Sequence, residues 1–145
     1  MTKATPSIVW SDIYSVHVSE IDAQHKVLLT ILNALNQAVA EALSERRVRH
    51  LLWTKLDELN EYAAFHFMTE EKLMHDHLPA DADMARHISQ HRQYWVSIND
   101  FKERGRHDEV SVLPLLTSFL NSWWIGHIQS TDVQLGKALI AKGVS

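Results

Sequence analysis

Five histidines and two carboxylates interrupt what would otherwise be apolar helical stripes. His25 falls between Ile21 and Leu28, and His66 and Glu70 extend the line of Leu59 and Ala63. His87 and His91 continue the line from Met84 to Tyr94, and His127 lies on the line of Leu116, Leu120 and Trp123. An ionisable group turned into a core is costly unless it is hydrogen-bonded or bound to a cation. His66 and Glu70 are four residues apart, as are His87 and His91. Each pair therefore projects from one helix face and can chelate one metal or serve two. Asp132 is the exception: five residues after His127, it lies about 140° around an ideal helix. It must reach in from the flank, unless the helix widens locally towards π geometry.

Each piece is weak alone. With ten histidines in the chain, chance supplies roughly half an HxxxH pair, and a lone inward histidine is commonly a hydrogen-bonded core residue. Convergence from four segments carries the weight. The remaining histidines read as ordinary surface groups. His50 and His107 fall near polar helix ends, and His75 and His77 flank Asp76 where a helix C-terminus favours positive charge. His17 has no partner at ligand spacing.

Four segments with helical periodicity must position these groups. The first runs from about Ser19 to Leu43 with Ile21, Leu28, Leu32, Leu35 and Val39 on one stripe, Ser19 and Asp22 resembling a capping box. The second runs from about Glu45 to His77, its inner face carrying Leu52, Leu56, Leu59 and Ala63, and stops before Pro79. The third starts near Asp81, carries Met84, Tyr94, Ile98 and Phe101, and is expected to close at Gly105. The fourth starts near Ser111, takes Pro114 in its first turn, and ends at Gly143. Short connections make neighbours antiparallel. The expected fold is all-α, an up-down-up-down four-helix bundle over residues 19–143 with residues 1–18 as an N-terminal arm, one domain over residues 1–145. Trp10, Ile13, Tyr14 and Val16 make that arm too apolar for a free tail.

Composition narrows the function. The chain has 145 residues, 46% hydrophobic and 22% charged, with four Gly and three Pro. That suits one globular unit with long helices. With no Cys, it has no disulfide, thiolate metal site or cysteine nucleophile. A net charge of −4 argues against nucleic acid as partner. No window reaches the roughly 18 apolar residues of a membrane span, and Met1 to Pro6 is not the apolar stretch of a signal peptide. A cytoplasmic protein is the expectation.

The stretches Ile21-Asp22-Ala23-Gln24-His25-Lys26, His66-Phe67-Met68-Thr69-Glu70-Glu71, His87-Ile88-Ser89-Gln90-His91 and His127-Ile128-Gln129-Ser130-Thr131-Asp132 together resemble the hemerythrin family, in its single-domain bacterial form. The resemblance spans about residues 10–140. It implies a non-haem di-iron centre that binds O₂ reversibly, for transport, storage or local supply. His87, His91 and His127 would ligate one iron; His25 and His66 would ligate the second, which keeps an open position. Glu70 and Asp132 would bridge the two irons beside an oxo or hydroxo group. In the oxidised form the same open position takes azide and similar small anions. Glu71 points about 100° away from Glu70 and is read as a non-ligand. Trp123 and Trp124 stand where the family usually has Trp-Leu, so both are expected near the O₂ pocket. His17 stands where Gly is frequent, and Leu78 and Leu135 where Tyr is common. The expectation is a binding protein rather than an enzyme. The rivals are a di-iron enzyme acting on peroxide or nitric oxide, and an oxygen- or iron-responsive regulatory module.

Overall fold

The computed structural model describes residues 7–42 and 46–145. It is an all-α bundle of four long rods, with no strand among the described residues. Helix α1 spans Ser19–Ala42, α2 Arg46–His77 and α3 Ala82–His107. The fourth rod is α4 (Glu109–Gly126), a π-helical segment (His127–Asp132) and α5 (Val133–Ile140). The expected boundaries at Leu43 and Glu45 lie outside the described residues.

The inward stripes form as the periodicity requires. Leu28, Leu32, Leu35, Leu52, Leu56, Leu59, Ile98, Leu116 and Leu120 are all buried in one core around the bundle axis. A second apolar group, Val16, Val18, Ile21, Met74, Leu135 and Leu139, closes the end where the arm enters. Along the chain the polar candidates are interspersed with both groups: His25 falls between Ile21 and Leu28, and Glu70 between Phe67 and Met74. Asp81 caps α3 as expected, its Oδ1 accepting from Met84 N–H at 3.0 Å.

Four local expectations are corrected. Gly105 does not end α3, which continues to His107; instead a Cβ at Gly105 would lie 3.0 Å from the Trp53 ring, so the glycine makes room for that indole. Asp108 then caps α4 by accepting from Ser111 N–H at 3.2 Å, so the helix begins at Glu109 and Pro114 falls in its second turn. Asp22 does not form a capping box with Ser19. Its carboxylate accepts from Ser15 Oγ–H at 2.6 Å and Val16 N–H at 2.8 Å, and so fastens the arm to α1. Ile13, expected to help hold the arm down, is 62% exposed.

The rest of the arm lies across the bundle. The Ile8 backbone exchanges two 2.8 Å hydrogen bonds with the Asn33 amide, and Trp10 and Tyr14 pack on the main core. His17 adopts φ 61°, a left-handed conformation that an L-residue holds only where its surroundings fix it. The far end of the fourth rod finishes in a Schellman motif: Val144 N–H bonds Leu139 O, Gly143 N–H bonds Ile140 O, and Gly143 has φ 84°. The expected stop at Gly143 is this motif.

The arm crosses α5 at Gly136. A Cβ there would sit 2.3 Å from the Val16 carbonyl oxygen and 2.9 Å from its Cβ. Both Val16 and Leu135 belong to the buried end group, so neither side can give way freely. Gly136→Ala should therefore destabilise the protein by about 1–3 kcal/mol, as overpacking does. Urea denaturation measures it, and a loss below about 0.5 kcal/mol would mean that the arm lifts away at little cost.

Candidate metal centre

Each rod contributes to one buried cluster. Its members are His25 from α1, His66 and Glu70 from α2, His87 and His91 from α3, and His127 and Asp132 from the fourth rod. None is more than 4% exposed. The structure thus brings together all seven side chains singled out in the sequence. The five-residue step from His127 to Asp132 is spanned by the π-helical segment. Where bonds close from i to i+5, residues five apart come back onto one face, so Asp132 turns inward with His127.

Donor atoms fall into two groups that share a carboxylate: Glu70 with His87, His91 and His127, and Glu70 with His25, His66 and Asp132. Glu70 Oε1 lies 3.2 Å from His66 Nε2, 3.3 Å from His91 Nε2 and 3.6 Å from His87 Nε2. Asp132 divides its oxygens. Oδ1 is 3.2 Å from His87 Nε2 and 3.0 Å from His127 Nε2, whereas Oδ2 is 2.8 Å from His25 Nε2.

Whether such a cluster suits a cation is tested by its unsatisfied atoms. Nε2 of His87, His91 and His127, both carboxylate oxygens of Glu70, and Oδ1 of Asp132 are buried without a hydrogen bond. Native cores leave few polar atoms in that state, and each needs a cause. The outer ring nitrogens of three of the five imidazoles are, by contrast, held, while His25 Nδ1 is buried without a partner. His66 Nδ1–H donates to Gln24 Oε1 at 2.8 Å, His91 Nδ1–H to Glu71 Oε2 at 3.0 Å, and His127 Nδ1–H to Gln90 Oε1 at 2.9 Å. A proton fixed on Nδ1 leaves the Nε2 lone pair facing the cluster, the tautomer that metal ligation needs. The residues fit a metal.

Gln24, Gln90 and Glu71 had no role assigned from sequence. Gln24 and Gln90 each precede a cluster histidine directly, and Glu71 follows Glu70. A polar side chain beside an inward ligand was their only signal.

Charge is balanced internally when the cluster is without metal. Burial opposes protonation of His66 and His127, but the negative charges of Glu70 and Asp132 beside them outweigh it. The pKa of His66 is held at about 9 and that of His127 at about 10. His87 is raised by the same carboxylates against its own burial. Burial alone would push Glu70 and Asp132 up; the histidines around them bring both well below the ordinary carboxylate range.

Aromatic rings wall the cluster. Phe67 stacks on His91, with centroids 4.0 Å apart, and faces Trp124 at 5.5 Å. Trp123 stacks on His127 at 4.4 Å. Trp124 is fully buried, its ring 6.3 Å from that of His66. Of the other histidines, His17, His50, His75, His77 and His107 are exposed and stand outside both donor groups.

Comparison with known proteins agrees with this site. The family model described as the hemerythrin HHE cation binding domain matches residues 16–139. The bacteriohemerythrin of Methylococcus capsulatus is 27% identical over 128 residues, covering 88% of this chain and 92% of the relative. That of Pseudomonas aeruginosa is 27% identical over 126 residues, covering 86% and 76%. A solved wild-type hemerythrin superposes with a TM-score of 0.76 at 26% identity, over 91% of this chain and 97% of the other.

The pKa shifts predict how the metal-free protein responds to pH. His66 and His127 titrate above their ordinary value of 6.5, so the stability they contribute is complete below pH 6.5 and lost as pH rises through about 9 to 10. The depressed carboxylates contribute above about pH 4.5 and lose their share as pH falls further. The thermal midpoint of chelator-treated protein should therefore peak between about pH 4.5 and 6.5 and decline on both sides. A flat profile from pH 6 to 10 would show that these imidazoles carry no linked proton.

Proposed function

The chain belongs to the hemerythrin family, and from that premise we propose that the buried cluster holds two iron ions and binds O₂ reversibly, as a carrier, store or local supplier of oxygen in the cytoplasm. In this reading His87, His91 and His127 hold one iron, His25 and His66 the other, and Glu70 and Asp132 serve both. The observation that carries it is the division of one buried cluster into two donor groups sharing Glu70, with Asp132 offering one oxygen to each side. Three imidazoles on one side and two on the other would leave the second metal one protein donor short, the place for a small ligand to enter. Two irons held by these residues would supply the redox change that O₂ binding requires.

The chain's own residues then have definite tasks. Gln24, Glu71 and Gln90 hold the imidazoles in ligating orientation through their outer N–H groups. Phe67 and Trp124 keep water from the core side of the cluster. We assign Trp124 to the wall of the ligand pocket beside His66, and Trp123 to the support of His127. Binding rather than turnover is favoured by the donor set. Five neutral imidazoles against two carboxylates donate less negative charge than the carboxylate-rich di-iron bundles, so high-valent iron is less well stabilised. On this reading the protein is not an enzyme.

Iron-replete protein should contain two irons per chain. Its oxidised form should show a charge-transfer band that changes on adding azide, and its reduced form should take up and release O₂ repeatedly. One metal per chain, or steady consumption of peroxide or nitric oxide, would overturn the reading. Trp124→Leu should open the pocket, speeding azide binding and autoxidation by more than twofold, that is, beyond about 0.4 kcal/mol of barrier. Smaller changes on fully loaded protein would confine Trp124 to packing.

A further inference from the structure

A cavity of about 250 Å³ lies between the end of α2, the start of α3 and the fourth rod from Ser130 onward. Met74, Leu78, Met84 and Leu135 give it an apolar lining, and Asp81, Asp83 and Arg86 also line it. Arg86 is already paired with Asp83 at 3.0 Å. His87, buried, forms part of the same wall. Its Nε2 faces Asp132 and Glu70, which places Nδ1 on the opposite side of the ring. His66, His91 and His127 each use Nδ1–H on a protein side chain; Nδ1 of His87 has no such partner among the described residues. An imidazole that ligates a metal nearly always donates its second N–H to an acceptor. Gln90 lines the cavity too. Its Oε1 is committed to His127 Nδ1–H and to Thr131 Oγ–H, so its NH₂ is the donor left over.

We propose that this cavity binds a small neutral molecule with an apolar body and a carbonyl-type oxygen, the oxygen accepting from His87 Nδ1–H with the Gln90 amide as second donor. The two thioethers adapt to an irregular apolar body. An anion is disfavoured, because two carboxylates face the cavity against one guanidinium that is already paired. A molecule seated there touches the outer nitrogen of a cluster histidine and so alters that histidine's donor strength. This consequence, and the tautomer with the proton on Nδ1, rest on the metal reading above.

The test is a titration of metal-loaded protein, labelled with ¹³C in the methionine methyls, with cyclohexanone. Met74 and Met84 methyl signals should shift saturably, while that of Met68, 67% exposed and outside the cavity, should not. Methylenecyclohexane, the same shape without the acceptor, should bind about three- to tenfold more weakly, and cyclohexanecarboxylate should also bind more weakly than the ketone. Ala138→Phe, or Gln134→Trp placed from the exposed side, should fill the cavity and abolish the shifts without unfolding the protein by circular dichroism. Absent or non-saturable shifts, hydrocarbon binding as tight as the ketone, tighter binding of the anion, or shifts that survive both filling variants would each overturn the proposal. The iron count, taken on the same sample, separates the two readings: two irons without methyl shifts overturns only this site, and saturable shifts with one metal overturns only the di-iron function.

Discussion

Seven ionisable side chains lie inside the bundle where water cannot solvate them, and the rest of the molecule is arranged around satisfying one another's charges there. Two carboxylates and five imidazoles at 2.8–3.9 Å do this incompletely without metal. Six of their atoms face inward with no hydrogen bond, a state that costs the desolvation of each group. A cation bound among them would satisfy all of these at once. Binding one there would make part of the folding energy conditional on metal.

Preorganisation is spread over a second layer of side chains. The outer nitrogens of His66, His91 and His127 are held by Gln24, Glu71 and Gln90, and Thr131 bonds the same oxygen of Gln90 as His127 does. The stacked rings of Phe67 and Trp123 fix the planes of His91 and His127. Imidazole direction is thus set by groups on neighbouring helices rather than by each side chain's own rotamer preference. Movement of one rod against another must disturb several of these imidazoles together.

Much of this was legible in the sequence, and the rest fails for identifiable reasons. Periodicity of 3.6 residues exposes any polar residue on an apolar stripe, so His25, His66, Glu70, His87, His91 and His127 could be read directly. Asp132 could be read only as an anomaly, because its angle from His127 is wrong for the helix that surrounds it. Gln24, Glu71 and Gln90 sit at the edges of the stripes, where period decides nothing and reach decides everything. Gly105 looked like a helix stop; its real constraint is a Trp53 ring more than fifty residues earlier. Asp22 looked like a cap, and the arm claimed it. Local signals were overridden wherever a distant segment made the better offer for the same atom.

The π-helical segment also has a consequence for chain length. On an unbroken α-helix Leu135 and Leu139 would lie about 80° and 120° around from His127, with Asp132 further still. One surplus residue within His127–Asp132 turns all three back by roughly 100°, so that core and ligand share one face. Counted in codons, the segment is a regular helix plus one. A gene shortened by one codon at Ser130 would encode a continuous α-helix with the histidine and aspartate four apart on the same face. The fourth rod therefore has two solutions to its phase, one residue different in length, and this chain carries the longer one.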